Sequence, residues 1–542
     1  MSAIAIAASR RRGIVWPRPR FGLALAAGAL AAIAFPPFGV WPGIFGFGLL
    51  LRQLDKPQER RPLRAAFALG WMAGLSYFLI STWWVGEAFL VDIAAHGWQA
   101  PFAVIFLAGG LALLWGAAAV VYRLLAPAHA GRVLVFAAVF ALFEWLRGHM
   151  FTGFPWDLPG EVWRAGSAPS QGAALVGAYG MSVLTLAIGA APGIWRRGGG
   201  REQTLTLAFA ALALAVLWGG GALRLALAPP PPAHALRLRI VQPNISQAEK
   251  WTPEALRSII ERYAALTAQS DAAPSDATQS VGKPADVVLW PEGAIPDSVD
   301  DFLAPDTWSR DLITQSLAPG QILLFGAVRQ EGAVAAPRYY NSLLAMRRTG
   351  ADLQLLGHYD KHHLVPFGEY MPFDRLAAAI GFKTLVHIGD GFTPGPISVA
   401  MSVPGLAPLQ PLICYESLFP GSFARTGPRP TWIANVSNDA WFGETSGPWQ
   451  HLNLASYRAI EEGVPVVRAT PTGVSAVIDG YGRTLVRLGL GQAGVIDATL
   501  PPPLPPTPFT YWRDTPFWII CLGGVLIGVV DKIKGKWRFA KR

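Results

Sequence analysis

A thiol, an ammonium and a carboxylate, each just beyond a short apolar run, are the residues of this chain best suited to covalent chemistry. Cys414 closes Leu412-Ile413 and is followed at once by Tyr415-Glu416. Glu292 follows Val287 to Trp290, in the turn Trp290-Pro-Glu-Gly-Ala-Ile-Pro296. Lys361 stands in Tyr359-Asp-Lys-His-His-Leu-Val-Pro-Phe-Gly-Glu-Tyr-Met-Pro372, eight residues before Glu369. Short apolar runs that break into polar residues predict buried strands, and open α/β folds place their chemistry where strands end. In such a set the thiolate is the nucleophile, and a nearby lysine lowers the thiol pKa. A glutamate takes the thiol proton and later returns it or activates a second substrate. The lysine supplies positive charge where a tetrahedral oxyanion develops, an interaction whose loss costs roughly 10²–10³ in rate. Each residue alone has a plainer explanation: a free Cys as a small buried hydrophobe, a Glu after Trp-Pro as a surface turn, a Lys in Lys-His-His as a solvated face. What selects them is the same setting met three times in order.

The composition says where such a site would sit. Of 542 residues, 52% are hydrophobic and 15% charged, well under the roughly 25% charged of soluble domains; this predicts a membrane protein. The net charge of +10 could signal nucleic-acid binding. The basic residues instead lie in short runs between apolar segments, which fits membrane topology, with no nucleic-acid partner. Cys521 lies in an apolar segment and is expected to pack or face lipid without chemistry; two such separated cysteines make no disulfide framework. His358, His362 and His363 lie close together, but without His-Glu-x-x-His or Cys-pair spacing. On a strand His362 and His363 point to opposite faces, so no metal is expected. A P-loop and a dinucleotide fingerprint are also missing, and no cofactor is expected.

Seven apolar segments, at about 21–36, 38–52, 65–90, 100–126, 133–150, 171–196 and 204–228, precede the polar region, and an eighth lies at about 515–531. Most approach or exceed the roughly 20 residues that cross hydrocarbon. The second is short, contains Pro42 and follows the first almost without a loop, so the pair reads as a tight hairpin or a re-entrant element. Glu144 and Arg147 are charged residues near a span end and are spaced to pair. Basic stretches at Arg10-Arg11-Arg12, Arg52 to Arg64, Arg123 to Arg132, Arg196 to Arg201 and Lys532 to Arg542 alternate with loops poor in Lys and Arg. Eight crossings put every basic stretch on the cytoplasmic side, with both termini, and leave residues 229–513 outside. The loop 148–170, containing Phe154-Pro-Trp-Asp-Leu-Pro-Gly160, reads either as an interfacial loop dipping towards the headgroups or as an ordinary turn with belt aromatics.

Beyond the proline linker Pro229–Pro232 the pattern changes. Strands are predicted at Leu236–Val241, Asp286–Trp290, Gln321–Gly326, Leu412-Ile413, Trp432–Asn435 and Val464–Val467. Hairpins are predicted at Asn341–Met346 with Leu353–Tyr359 and at Val474–Ile478 with Thr484–Leu488. Helical spacing occurs at 253–269, with Thr252 as N-cap, and at about 304–317 and 448–463. Strands alternating with helices over about 270 residues predict an α/β sandwich. The division is an N-terminal transmembrane domain at 1–228, a catalytic domain at 229–513, and a C-terminal transmembrane helix with a basic tail at 514–542.

Glu292, Lys361 and Cys414, in that order and in those contexts, resemble the nitrilase (carbon–nitrogen hydrolase) superfamily. With the membrane segments and the motifs Gln242-Pro-Asn-Ile-Ser-Gln247, Ser437-Asn-Asp-Ala-Trp-Phe-Gly443 and Arg468-Ala-Thr-Pro-Thr-Gly-Val-Ser475, nearly the whole chain looks like the apolipoprotein N-acyltransferase family. Pro471 stands where that family's pattern has Asn, and the Ser/Ala/Asp-rich stretch 269–284 is longer than usual. The resemblance implies a polytopic α-helical membrane domain of about eight transmembrane helices carrying a periplasmic, nitrilase-like αββα sandwich in the bacterial inner membrane. It implies Glu292 as proton acceptor, Lys361 as oxyanion stabiliser and Cys414 as acylated nucleophile. Glu369 is implied as a carboxylate orienting Lys361, with Tyr415 and Glu416 supporting the nucleophile. Trp251, Asn438 and Trp441 are implied as substrate contacts. The implied reaction takes an acyl chain from a membrane phospholipid, through a Cys414 thioester, to the α-amino group of a diacylglyceryl-modified N-terminal cysteine on an apolipoprotein. Two other readings stand beside it: a membrane-tethered amidase with water as acceptor, and a transporter with an extracytoplasmic binding domain.

Overall fold

Hydrocarbon offers no hydrogen bonds, so a chain crosses it as helices or as a closed barrel, and the apolar segments of the first half become helices. The computed structural model describes residues 18–56, 61–195, 199–229, 236–250, 253–269, 284–332, 337–372, 391–424 and 426–540. Trp251, Thr252, most of the 269–284 stretch and Arg10-Arg11-Arg12 lie outside them. Among the described residues six helices are long and apolar enough to cross a membrane: Pro62–Phe89, Ile93–Leu125, Arg132–Thr152, Pro169–Ile194, Arg201–Ala226 and Thr515–Lys534. The first two segments form the shorter helices Arg18–Ala32 and Gly46–Asp55. They make a hairpin whose ends meet, because Arg20 Nη2 donates to the Gln53 carbonyl at 3.5 Å. Arg52 therefore returns to the side on which the hairpin began.

Two segments are less regular than their hydropathy predicts. The 65–90 segment is α-helical to Thr82 and continues as a 3-10 turn, Trp83–Phe89. The 171–196 segment gives the helix Ala173–Ala190, broken at Gly177 with φ +67°, a conformation that favours glycine. The break frees the amide of Ala178, and Glu461 from the catalytic region accepts it at 2.8 Å. By contrast Arg201–Ala226 buries only Gly221 and is apolar all round, as a helix facing lipid requires.

The expected Glu144–Arg147 pair forms and does more than neutralise charge. Arg147 Nε lies 2.9 Å from Glu144 Oε2, and Trp115 Nε1 donates to Glu144 Oε1 at 2.6 Å. Arg147 Nη1 then donates to the Phe154 and Trp156 carbonyls at 2.5 and 2.8 Å. The middle of the 148–170 loop is packed inside the protein: Trp156, Leu158, Glu161 and Trp163 are buried. It is clamped from above by the helix Gly447–Glu462, where the Tyr457 hydroxyl donates to the Trp163 carbonyl at 2.6 Å and Asn453 Nδ2 to the Glu161 carbonyl at 3.0 Å.

The catalytic region has twelve strands among the described residues: β1 Arg237–Gln242, β2 Val287–Leu289, β3 Ile295–Ser298, β4 Ile322–Glu331, β5 Arg338–Thr349, β6 Asp352–Asp360, β7 Leu409–Ile413, β8 Trp432–Val436, β9 Val466–Ala469, β10 Ser475–Ile478, β11 Thr484–Leu488 and β12 Gly494–Thr499. One sheet runs β12-β1-β2-β4-β5-β6 with β3 beside β4, the other β11-β10-β9-β8-β7. Alternate side chains take opposite faces of a strand. Ile240, Leu289 and Leu324 thus meet Ile413, Ala434 and Val467 between the sheets. Their neighbours Val241, Val288 and Leu323 pack outward against the helices Leu256–Ala268 and Trp308–Ser316. The other sheet is covered by Gly447–Glu462, through Leu452 and Ala459, completing an αββα sandwich. β3 and β12 were not expected; β12 pairs antiparallel with β1 over its full length and closes that edge.

Replacing Arg147 by Met strands the Glu144 carboxylate in a buried setting, which costs about 3–5 kcal/mol. Thermal unfolding of R147M in detergent should show this loss, and the double variant E144Q/R147M should recover part of it. Equal stability of R147M and wild type would refute the clamp.

Candidate active site

The three chemical groups reach one place because β2, β6 and β7 end there. Trp290 ends the β2 run with its ring buried and its Nε1 donating to Thr267 Oγ1 at 2.9 Å, and Glu292 follows two residues later. Lys361 directly follows β6, with its amide bonded to the Asn341 carbonyl at 2.8 Å. Its ammonium, 1% exposed, lies 3.3 Å from Glu292 Oε1 and 2.9 Å from Glu369 Oε1. Asn341 Nδ2 bridges the same two carboxylates at 2.7 Å each, and Glu369 Oε2 accepts the Val365 amide at 2.8 Å. Asn341 is a site residue that the sequence reading missed; its signal was a polar residue on the inner face of the Asn341–Met346 strand.

Cys414 opens a 3-10 turn after β7 with φ +49°, a backbone state costing a side-chain-bearing residue about 1–2 kcal/mol. The surroundings impose it. Glu416 Oε2 accepts the Ile413 amide at 2.9 Å, while its Oε1 accepts the Tyr359 hydroxyl at 2.7 Å and the His362 and His363 amides at 2.8 and 3.2 Å. Glu416 is thus a brace tying the Cys414 turn to the lysine segment. Behind the turn, Ser417 Oγ donates to the Cys414 carbonyl at 2.9 Å and His451 Nε2 lies 3.1 Å from it. His451 is set by Asp439, 2.8 Å from Nδ1, and Asp439 by Arg468. That buried network was also not anticipated.

Charge follows burial. Desolvation would raise the Glu292 carboxyl, but Lys361, the Asn341 bond, Lys250 and the neighbouring Cys414 thiol together hold it below the ordinary carboxylate range. Desolvation would likewise lower Lys361, and Glu292 with Glu369 hold it above the usual lysine range. The thiol departs from expectation: burial, reinforced by Glu292, raises Cys414 well above an ordinary cysteine despite Lys361 and the Asn438 amide. The resting site is therefore thiol, carboxylate and ammonium, with the carboxylate beside the thiol.

The remaining expected residues fall unevenly. The Tyr415 hydroxyl donates to the Gly153 carbonyl at 2.5 Å, linking the nucleophile turn to the clamped membrane loop. Asn438 presents its amide to the Cys414 sulfur, while its side-chain Nδ2 turns away to Gln247 Oε1 at 2.9 Å. Trp441 is 37% exposed, and no contact joins it to the triad. Trp251 lies outside the described residues. Pro471 accepts the Asn244 amide at 2.8 Å, and Cys521 is packed within the membrane core.

Residues 237–504 match the carbon-nitrogen hydrolase family and residues 27–191 the apolipoprotein N-acyltransferase N-terminal domain. The apolipoprotein N-acyltransferase of Caulobacter vibrioides is 55% identical over 524 residues, 96% of each chain. Those of Brucella melitensis biotype 1 and Rhodopseudomonas palustris are 39% and 38% identical, over 92% and 93% of each chain respectively.

Alkylation of Cys414 by iodoacetamide should keep rising with pH and show no thiolate plateau below about pH 9; a plateau near neutrality would contradict the raised thiol. Removing a hydrogen bond from a carboxylate raises its pKa. In N341L the acid limb of the activity profile should accordingly move to higher pH, with a rate at neutral pH lowered about tenfold or more. An unmoved limb would show that Asn341 does not hold Glu292.

Proposed function

The chain belongs to the apolipoprotein N-acyltransferase family, whose activity is lipoprotein N-acylation; on that premise we propose a two-step, ping-pong transfer through Cys414. Glu292 takes the thiol proton as sulfur attacks an ester carbonyl of a membrane phospholipid. Lys361 stabilises the oxyanion, and a lysophospholipid leaves with the proton. The α-amino group of an S-diacylglyceryl N-terminal cysteine then attacks the thioester, with Glu292 again the proton carrier.

The observation that carries this reading is the convergence of Glu292, Lys361 and Cys414, with Glu369 behind the lysine, beside a loop seated on the membrane helices. Both substrates are lipids, so the thiol needs a fixed height relative to the bilayer, and the Tyr415–Gly153 bond supports such a placement. The alternation of basic and non-basic loops supports an inner-membrane setting, with the sandwich periplasmic and both termini cytoplasmic.

Incubation with phospholipid labelled in its acyl chain should put hydroxylamine-sensitive label on Cys414 and none on C414A. K361A should lose roughly 10²–10³ in the rate of labelling. Absence of label on the wild-type protein would sink the thioester route. Label lost quickly to water, without an amine acceptor, would favour an amidase.

A further inference from the structure

Joining an acyl ester to an ammonium leaves one proton over, and the two half-reactions locate it. In the first, the Cys414 proton passes to Glu292, the carbon–sulfur bond forms, the ester carbon–oxygen bond breaks, and Glu292 protonates the departing alkoxide. No proton is released. In the second, the acceptor arrives as an ammonium and must lose a proton before its lone pair can attack. The carbon–nitrogen bond then forms, the carbon–sulfur bond breaks, and a second N–H proton returns through Glu292 to the Cys414 sulfur. The proton lost first has to reach solvent. Glu292 is 8% exposed and has Lys361 and Asn341 on one oxygen, so it needs an outlet. This rests on Glu292 being the base, as proposed above.

Glu292 also lines a small cavity, together with Gln247, Lys250, Tyr263, Asn438 and Pro471. It gives a water molecule's centre about 10 Å³, room for one water. Three polar atoms of lining residues have no hydrogen-bond partner among the described residues: Glu292 Oε2, Gln247 Nε2 and Asn438 Oδ1. Their residues are 8%, 3% and 6% exposed. Buried polar atoms of this kind are normally satisfied, by protein or by an ordered water. The Asn438 Nδ2 to Gln247 Oε1 bond of 2.9 Å fixes both amides and leaves one donor and one acceptor. A water accepting from Gln247 and donating to Asn438 and Glu292 completes all three.

Lys250 ends the short helix Gln247–Lys250 and keeps partial contact with solvent. Its Nζ lies over Gly293, where any Cβ would collide with it and where φ is +57°. We propose that Lys250, through one water held by Gln247 and Asn438, carries the proton released in amine transfer from Glu292 to solvent. Desolvation lowers the Lys250 ammonium to about 8 against the pull of Glu292, so it can give up a proton and regain one near neutral pH.

K250R tests this directly, because arginine keeps the charge beside Glu292 but does not release its proton. The full-length protein would be followed in each half-reaction: thioester formation from labelled phospholipid, and its discharge to an S-diacylglyceryl-cysteine lipopeptide. Discharge should slow at least about tenfold and recover in part with added imidazole, while thioester formation stays within about twofold. Q247L should give the same split. Wild-type discharge in K250R, or equal slowing of both halves without recovery in imidazole, would overturn the relay. E292Q separates this from the base assignment: normal rates in both of its half-reactions would remove the base itself, whereas slowing in both leaves the relay to stand or fall on K250R.

Discussion

A protonated lysine held out of water between two carboxylates is the interaction on which the catalytic region depends. A buried ammonium costs several kcal/mol unless its partners are in place, and those of Lys361 come from separate segments, Glu292 after β2 and Glu369 from the turn beyond β6, held together by Asn341 from β5. Asn341 serves twice, its side chain bridging the carboxylates and its carbonyl taking the Lys361 amide. Slipping β5 by one residue would turn that side chain to the opposite face and leave two carboxylates facing each other with less to hold them. The site's electrostatics and the register of the first sheet are therefore one constraint.

Cys414 is held in a different way. Its positive-φ backbone is secured by Glu416 on one side and by Ser417 and His451 on the other. The same turn is fastened to the membrane region through Tyr415 and Gly153, in a loop whose carbonyls are taken by Arg147. A buried ion pair among the membrane helices thus helps decide where the thiol stands. For an N-acyltransferase whose substrates are lipids such coupling matters, since proximity of the reacting atoms is a large share of catalysis.

Local patterns carried much of this in the bare chain. The order Glu292, Lys361, Cys414, the strands β1, β2, β4 and β7 to β9, and both hairpins were readable because period-two alternation and apolar-to-polar breaks are properties of neighbouring residues. Hydropathy found every long apolar helix for the same reason. It missed the break at Gly177, where the segment's own length and apolarity are overruled by a contact with a distant residue, Glu461.

What the amino-acid order determined alone is the identity of the reactive groups and the elements that bear them. What only the tertiary structure decided is their state. Cys414 rests as a thiol although a lysine lies near it, because desolvation and the Glu292 charge outweigh that lysine. Glu416, the carboxylate nearest in sequence, is a brace, and Glu292, 122 positions away by the numbering, faces the thiol. His451 and Lys250 carried no signal of their own, since a polar residue acquires its role from what folding buries around it.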